Sequence, residues 1–403
     1  MFMPRRRKRH HTKLNIALVT AVAALIIAAV LLYLRPLPAL YPVNNVRTLT
    51  VTVPLLSWPN SQQAAIGGLG YGVLDTNGTQ TEQPIASTAK LITALTVLNH
   101  DPLSLGQQGP MITFSDNDVA IYNNYLAEDG SVVKVVSGEQ MSEYQALSAM
   151  LLPSANNVAD SLAIWAFGSL QNYLTAASQE IQGLGLSSTV VSSDASGFNP
   201  ATVSTAHDLV LLGENAMQNP VIAQIVGQSE ANLPVVGEVK NVNTLLGQNG
   251  IVGIKTGNTD QAGGVYIFAA KDSLNQTYSV TIVGAIQGSP TLQDALGGTI
   301  PLLISAESNF RISTVVGGGQ PVGYYKIPWS KPVSIIASQN LTGLLWTGQA
   351  ITPAASDHAI YGPQLNRAVV GFLSLPGSGN HSVSLILSQK ITAPPWWWRI
   401  FHT

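Results

Sequence analysis

Pro84-Ile85-Ala86-Ser87-Thr88-Ala89-Lys90-Leu91-Ile92-Thr93-Ala94-Leu95 sets a small hydroxyl residue at the head of an apolar run, with a lysine three positions behind it. Leu91, Leu95 and Leu98 recur at helical spacing, so the segment predicts a buried helix opening at Ser87. Side chains three apart on a helix share a face, which makes the Ser87 hydroxyl and the Lys90 amine neighbours at the helix start. Two readings follow. Ser87 is an N-cap beside a solvated lysine, or it is a nucleophile beside its base. Ser-x-x-Lys alone is too common to choose between them.

Outward from that stretch, 403 residues exceed one ordinary core and predict two or more domains. Hydrophobic residues make up 46% and charged residues 10%, a globular and not a disordered composition. The absence of cysteine excludes a disulfide framework, a thiolate zinc site and a cysteine nucleophile. The seven histidines form no His-x-x-Glu-His or comparable cluster, so no metal and no cofactor is expected. Net charge is −2, unevenly spread. Seven of the 19 basic residues lie at or before Arg35, leaving 12 basic against 21 acidic residues beyond it. An acidic outer portion argues against nucleic-acid binding.

Residues 1–13 carry Arg5-Arg6-Arg7-Lys8-Arg9 and Lys13, and residues 14–34 are apolar apart from Asn15, Thr20 and Tyr33. At 1.5 Å per residue the apolar run spans about 31 Å, enough for a bilayer core. The basic flank predicts a cytoplasmic tail and an extracytoplasmic remainder. No small-x-small cleavage site follows Leu34, which favours an uncleaved anchor over a signal peptide. Pro36, Pro38, Pro42, Pro54 and Pro59 make 35–61 read as an extended tether.

Beyond the tether, 64–75 reads as one or two strands, Thr76-Asn77-Gly78 as a hairpin turn and 79–83 as a short return strand. The stretch 104–138 is turn-rich and carries no assignment. Helices are expected over 142–152, closed by Pro153, then over 158–169, 171–184, 204–217 and 220–228. His207 and Asp208 fall in the first turn of the fourth, where a solvated histidine is the plainer reading. The runs 250–257, 263–271 and 277–287 are β-rich, and 292–309 is helical. Strands, a helical block and strands again predict an α/β sandwich with a sheet built from both ends of the segment. From Arg311 short β-like runs at 333–337, 344–346, 367–375 and 382–387 replace helical periodicity and predict a small β-sandwich over 311–393. The tail 394–403 holds Trp396, Trp397, Trp398, Arg399 and Phe401, a composition suited to a membrane interface.

Two short motifs bear on the opening question. Ser154-x-Asn156 lies at a helix break 67 residues after Ser87, and Lys255-Thr256-Gly257 closes a strand 101 residues later. Each alone is weak. In this order, on these elements, Ser87-x-x-Lys90, Ser154-x-Asn156 and Lys255-Thr256-Gly257 resemble the three motifs of penicillin-recognising serine enzymes. The flanks, Leu151-Leu152-Pro153 before Ser154, Ser204-Thr205-Ala206-His207-Asp208-Leu209, and Gly253-Ile254 before Lys255, are similar to low-molecular-mass penicillin-binding proteins, the serine-type D-alanyl-D-alanine carboxypeptidase family. The likeness covers 62–310, and 311–390 more weakly resembles the β-rich C-terminal domain of that family. It implies a β-lactamase/DD-peptidase-like α/β sandwich, an antiparallel sheet flanked by helices with an all-helical subdomain. Peptidoglycan stem peptides are the implied substrates and β-lactams the implied inhibitors.

A serine needs an adjacent base to attack a peptide carbonyl, and lysine serves when burial and a neighbouring cation lower its pKa. Lys90 is then the base and Lys255 the neighbouring cation. Ser154 relays the proton to the leaving amine, and Asn156 holds Lys90 and the substrate amide. The resemblance implies an oxyanion hole from the backbone N–H groups of Ser87 and Asn258, with Lys255, Thr256 and Gly257 binding substrate. Two departures matter. Asn258 stands where most relatives carry a histidine or another bulky residue. The segment Gln287-Gly288-Ser289-Pro290, read as a loop after a strand ending at Ala285, lacks the arginine that many carboxypeptidases of the family use. Endopeptidase action on cross-links, and a weakened wall-binding protein, therefore stay open beside carboxypeptidase action. Residues 192–200 offer Asp194 and no Glu-x-x-Leu-Asn, which argues against a β-lactamase.

Overall fold

The computed structural model describes residues 7–49, 55–375 and 381–402. Arg5 and Arg6 of the basic tail and Pro54 of the tether lie outside them. The chain divides into two compact units. One comprises Val51–Ile312 and Leu344–Gln349; the other comprises Met1–Thr50, Ser313–Gly343 and Ala350–Thr403.

The first unit is built on a five-stranded antiparallel sheet, in the order Ile251–Thr259, Gly263–Ser273, Ser279–Ser289, Gln63–Gly68 and Gly72–Asn77. The sheet thus draws on both ends of the segment, as its pattern of elements predicts. Alternation along each strand sends side chains to opposite faces. Ala64, Ile66, Tyr266 and Phe268 pack with the helix Leu292–Glu307, whereas Ala65, Ile267, Val283 and Ala285 pack on the other face with Ala206–Gln218. Gly213 permits that second contact, because a Cβ there would stand 2.8 Å from Ile267 Cγ2 and 2.9 Å from Val283 Cγ1.

The helical block surrounds Lys90–His100, which is buried from Lys90 to Leu98. Full burial of Leu91 and Ile92 contributes roughly 1.5–3 kcal/mol each. It also takes Lys90, the first residue of this helix, out of water. Glu143–Leu151 opens on a capping box in which Ser142 and Gln145 exchange hydrogen bonds. Asn156–Phe167 and Leu170–Gly183 follow, and Ala206–Gln218 is capped by the Thr205 side chain.

Several expectations need correction. The hairpin turn falls at Leu69 to Tyr71, where Gly70 has φ +84°, and Gly78 with φ +81° merely ends the strand. No return strand occupies 79–82; Gln83–Pro84 pairs instead with Val203–Ser204. The stretch 104–138 holds a strand, Met111–Thr113, and a helix, Asp116–Ala127. That helix exposes most of its surface, so it carries no apolar stripe to read. The third β-rich run does not end at Ala285 but continues to Ser289.

In the second unit, Arg7–Leu34 is one helix, and Lys13–Leu34 is long and apolar enough to cross a membrane. A six-stranded antiparallel sheet runs in the order Ala354–Asp357, Val369–Ser374, Ser382–Leu387, Val333–Ala337, Pro321–Tyr325 and Pro42–Asn44. The last strand corrects the reading of 35–61 as a free tether. Val43 pairs with Tyr324, and Ala39–Leu40 pairs with Ile360–Tyr361. Proline suits such an edge strand, where one side needs no donor. The tail is also ordered: Trp396–Phe401 is a short helix.

Candidate active site

Ser87 does not cap a helix. It lies in a 3₁₀ turn, Ala86–Ala89, and the helix Lys90–His100 starts behind it without a side-chain cap. Ala86 has φ +46°, a left-handed conformation strained for a residue with a Cβ. The turn leaves Ser87 half-buried and Lys90 fully buried. Lys90 Nζ stands 2.8 Å from Ser87 Oγ, 2.6 Å from Asn156 Oδ1 and 3.1 Å from the Ser196 carbonyl oxygen. Burial holds the amine well below the usual lysine range, and the nearby Lys255 lowers it further. Asp194 and Asp160 pull the other way.

The second corner joins Ser154 to Lys255. Ser154, with φ +67°, sits in the break that Pro153 makes between two helices. Lys255 Nζ donates to Ser154 Oγ at 2.9 Å and to the Thr256 carbonyl at 3.1 Å. Burial alone pushes the Lys255 amine down to about 7. The strand carrying it presses against the nucleophile turn. A Cβ on Gly257 would meet Ile85 O at 2.9 Å, Ala86 Cβ at 3.1 Å and Ser87 N at 3.2 Å, so glycine is what lets strand and turn meet. Asn258 follows and is exposed at the rim.

Sequence reasoning missed a third wall. The Ser196 carbonyl reaches Lys90 because Asp194 shapes its loop, accepting from Ser196 N, Ser196 Oγ, Phe198 N and Asn199 N. Gly197 fits this loop against the nucleophile turn, since a Cβ would lie 2.2 Å from Ala86 O. Asp160 ties the loop down by accepting from Ala195 N at 2.8 Å, and Tyr125 donates to its other oxygen at 2.8 Å. Burial raises the Asp160 carboxyl to about 6. One signal was present: Asp160 lies four residues after Asn156, on the same helix face.

A cavity of about 740 Å³ opens beside Asn258 and Thr259, with Tyr125, Asp160 and Phe198 in its walls. Gln287 takes no part in it. It is fully buried in its strand, where Nε2 donates to the carbonyls of Gln83 and Ser204 while Oε1 accepts from Gln63. His207 is partly exposed and its ring pairs with Asp208 Oδ1 at 3.1 Å.

Hydrogen bonds thus join Lys90 to Ser87 and Asn156, and Lys255 to Ser154. The Peptidase_S11 family model, D-alanyl-D-alanine carboxypeptidase, matches residues 70–285. D-alanyl-D-alanine carboxypeptidase DacB2 of Mycobacterium tuberculosis is 31% identical over 251 residues, 60% of this chain and 81% of that relative. Penicillin binding protein 5 from Haemophilus influenzae shares the fold, with a TM-score of 0.60 at 19% identity over 85% of this chain and 99% of the other. So does the peptidoglycan synthesis regulatory factor PBP3 from Streptococcus pneumoniae, with a TM-score of 0.62 at 18% identity over 83% and 99%. With more than half of its residues matched by the family model, the chain belongs to the D-alanyl-D-alanine carboxypeptidase family of serine peptidases.

Proposed function

We propose that this chain removes the terminal D-alanine from peptidoglycan stem peptides through an acyl-Ser87 intermediate, and that β-lactams acylate the same serine. The observation that carries the reading is the surroundings of Lys90. A neutral amine has two hydrogens and one lone pair. Lys90 Nζ meets two obligate acceptors, Asn156 Oδ1 and the Ser196 carbonyl, and one hydroxyl able to donate, Ser87. Three oxygens suit an ammonium that donates to all of them and, with the Ser87 hydroxyl turned to donate, a neutral amine whose lone pair faces the Ser87 proton; burial favours the neutral form.

The chemistry then runs as follows. Ser87 Oγ attacks the carbonyl carbon of the penultimate D-alanine while its proton passes to Lys90 Nζ. The developing oxyanion lies against the backbone N–H groups of Ser87 and Asn258. Collapse breaks the C–N bond; Ser154 passes its proton to the leaving amine and regains one from the Lys90 ammonium, which returns Lys90 to the neutral form. Lys90 then takes a proton from water as that water attacks the ester, and gives it to Ser87 Oγ as the acyl C–O bond breaks and the shortened peptide leaves. Lys255 and Thr256 attract the substrate's terminal carboxylate, a role supported by their place on the strand that runs on into Asn258 and Thr259 of the cavity wall. Asp194 donates nothing to deacylation of a β-lactam, because four hydrogen bonds from its own loop occupy it. The penicilloyl enzyme is therefore long-lived.

On this reading 1–13 lie in the cytoplasm, 14–34 cross the membrane and the peptidase stands outside, where its substrate lies; the basic flank and the exposed apolar helix Lys13–Leu34 support it. A second reading, endopeptidase cleavage of cross-links, is favoured by the absence of a positive residue at 287–290. Incubating the protein with pentapeptide and with cross-linked muropeptide, and reading products by mass, separates the two. Loss of one D-alanine from pentapeptide is expected, abolished in Ser87→Ala; monomers released from cross-linked material alone would replace this reading with the second. No turnover of either would reject both.

A further inference from the structure

The helix Lys90–His100 holds the loop behind Ser87 at two points. Lys90 Nζ lies 3.1 Å from the Ser196 carbonyl oxygen. Thr93, three positions on and on the same face, donates from Oγ1 to the Ala195 carbonyl at 2.5 Å. A carbonyl oxygen only accepts, so the single Thr93 proton is committed there. Tyr173 Oη stands 2.7 Å from Thr93 Oγ1 and is therefore the donor between the two. Burial raises the Tyr173 phenol above its ordinary range, which keeps that proton in place.

A threonine inside a helix commonly turns its hydroxyl back onto its own backbone. Thr96 does so in this same helix, donating to the Ile92 carbonyl at 2.7 Å. Thr93 donates across to the loop instead, and the Tyr173 proton on its oxygen polarises it in that direction. Thr93, Tyr173 and Ser196 are fully buried, and Ala195 is nearly so. Ala195 is thus gripped from two helices. Its N–H reaches Asp160 Oδ1 at 2.8 Å on Asn156–Phe167, and its carbonyl reaches Thr93. Two grips on one residue fix the direction in which the chain enters Ser196, whose carbonyl meets Lys90.

We propose that Thr93 and Tyr173 are positioning residues for acylation: Tyr173 orients the Thr93 hydroxyl, Thr93 fixes Ala195, and the Ser196 carbonyl is thereby held against Lys90. The inference rests on the acyl-Ser87 reading with Lys90 as base. A carbonyl beside an amine favours the ammonium over the neutral form. A slackened Ser196 carbonyl therefore leaves Lys90 a weaker and less well placed base.

The test follows acylation of Ser87 by benzylpenicillin against pH in the full-length protein. Thr93→Val stays close in shape and removes the hydroxyl. Acylation is expected to slow about tenfold, and the rise in rate that follows deprotonation of Lys90 to move to lower pH. Tyr173→Phe is expected to move the rise the same way with about a threefold loss. The two act through one contact, so the double variant should be no slower than Thr93→Val. Thr93→Ser keeps the hydroxyl and should restore most of the rate. A rise that stays in place in Thr93→Val, whether or not the rate falls, overturns the proposal and leaves Thr93 a packing residue. So do losses that multiply in the double variant, or a Thr93→Ser as slow as Thr93→Val. If circular dichroism shows that Thr93→Val does not fold, Tyr173→Phe decides by the same displacement. Native protein that takes up no penicilloyl group would reject the acyl-Ser87 reading itself, whereas native acylation with no displacement in the variants rejects this inference alone.

Discussion

Two buried lysines occupy neighbouring corners of one cleft, and their surroundings treat them differently. Lys90 meets three oxygens, and its charge state is contested, lowered by burial and Lys255 and raised by Asp194 and Asp160. Among the described residues Lys255 Nζ donates to Ser154 Oγ and the Thr256 carbonyl, and burial is what lowers it. The first arrangement suits a group that must take up and return a proton. The second suits the substrate-binding cation proposed above. On that proposal identical side chains differ in role through what lines their pockets.

The comparison can be broken most severely at Lys90. Lys90→Met is expected to lower penicillin acylation by about 10⁴-fold with the fold intact by circular dichroism, whereas a loss under tenfold would remove Lys90 as the base. Lys255→Ala should cost about 10²-fold, mainly in binding of carboxylate-terminated peptide. Because burial pushes the Lys255 amine down to about 7, peptide binding should weaken as pH rises through that value. The activity rise that follows deprotonation of Lys90 has the opposite slope. Removing Lys255 removes a neighbour that lowers Lys90, so this rising limb should move to higher pH.

Asp160→Asn sharpens the contrast from the other side. It removes a carboxylate that raises Lys90, so the rising limb should move to lower pH, with a rate loss of roughly five- to tenfold from the loosened Ala195 contact. Opposite displacements in the two variants, measured as pH profiles of acylation, are the signature; displacement in one direction would show that the effects are merely structural.

The smallest effect lies away from the cleft. Glu143 is fully buried, both its oxygens lack hydrogen-bond partners among the described residues, and burial, then Asp101, raises it to about 7. Between the ordinary carboxylate range and about 7 the folded state keeps a proton that the unfolded state has lost. Stability therefore falls as pH rises through that window and stays lower above it. In Glu143→Gln the fall in melting temperature between pH 5 and pH 8 should shrink by about 2–4 °C. An unchanged difference would show that Glu143 is solvated, and that burial without a partner is not what separates it from the two lysines.

Much of this site was legible in the sequence, because side-chain motifs carry their own spacing. Ser87 and Lys90 meet across three helical positions, and Lys255 meets Ser154 where Pro153 breaks the helix. The structure sharpened Ser87 from a helix cap to a residue in a strained turn, since φ +46° at Ala86 leaves no mark in the sequence when alanine holds it. The Ser196 contribution was not legible either, because it is a carbonyl, which every residue has. The second unit shows the same limit. Ser382–Leu387 announces itself by alternation, whereas Pro42–Asn44 becomes a strand only through pairing with distant Pro321–Tyr325.

The central claim is that Ser87 alone is acylated, with Lys90 as its base. Intact protein incubated with benzylpenicillin, digested and mapped by mass spectrometry, tests it most directly. The account predicts one penicilloyl group on the peptide containing Ser87, persisting for hours, absent in Ser87→Ala and strongly slowed in Lys90→Met. A penicilloyl group on any other residue, or one that persists in Ser87→Ala, would contradict it.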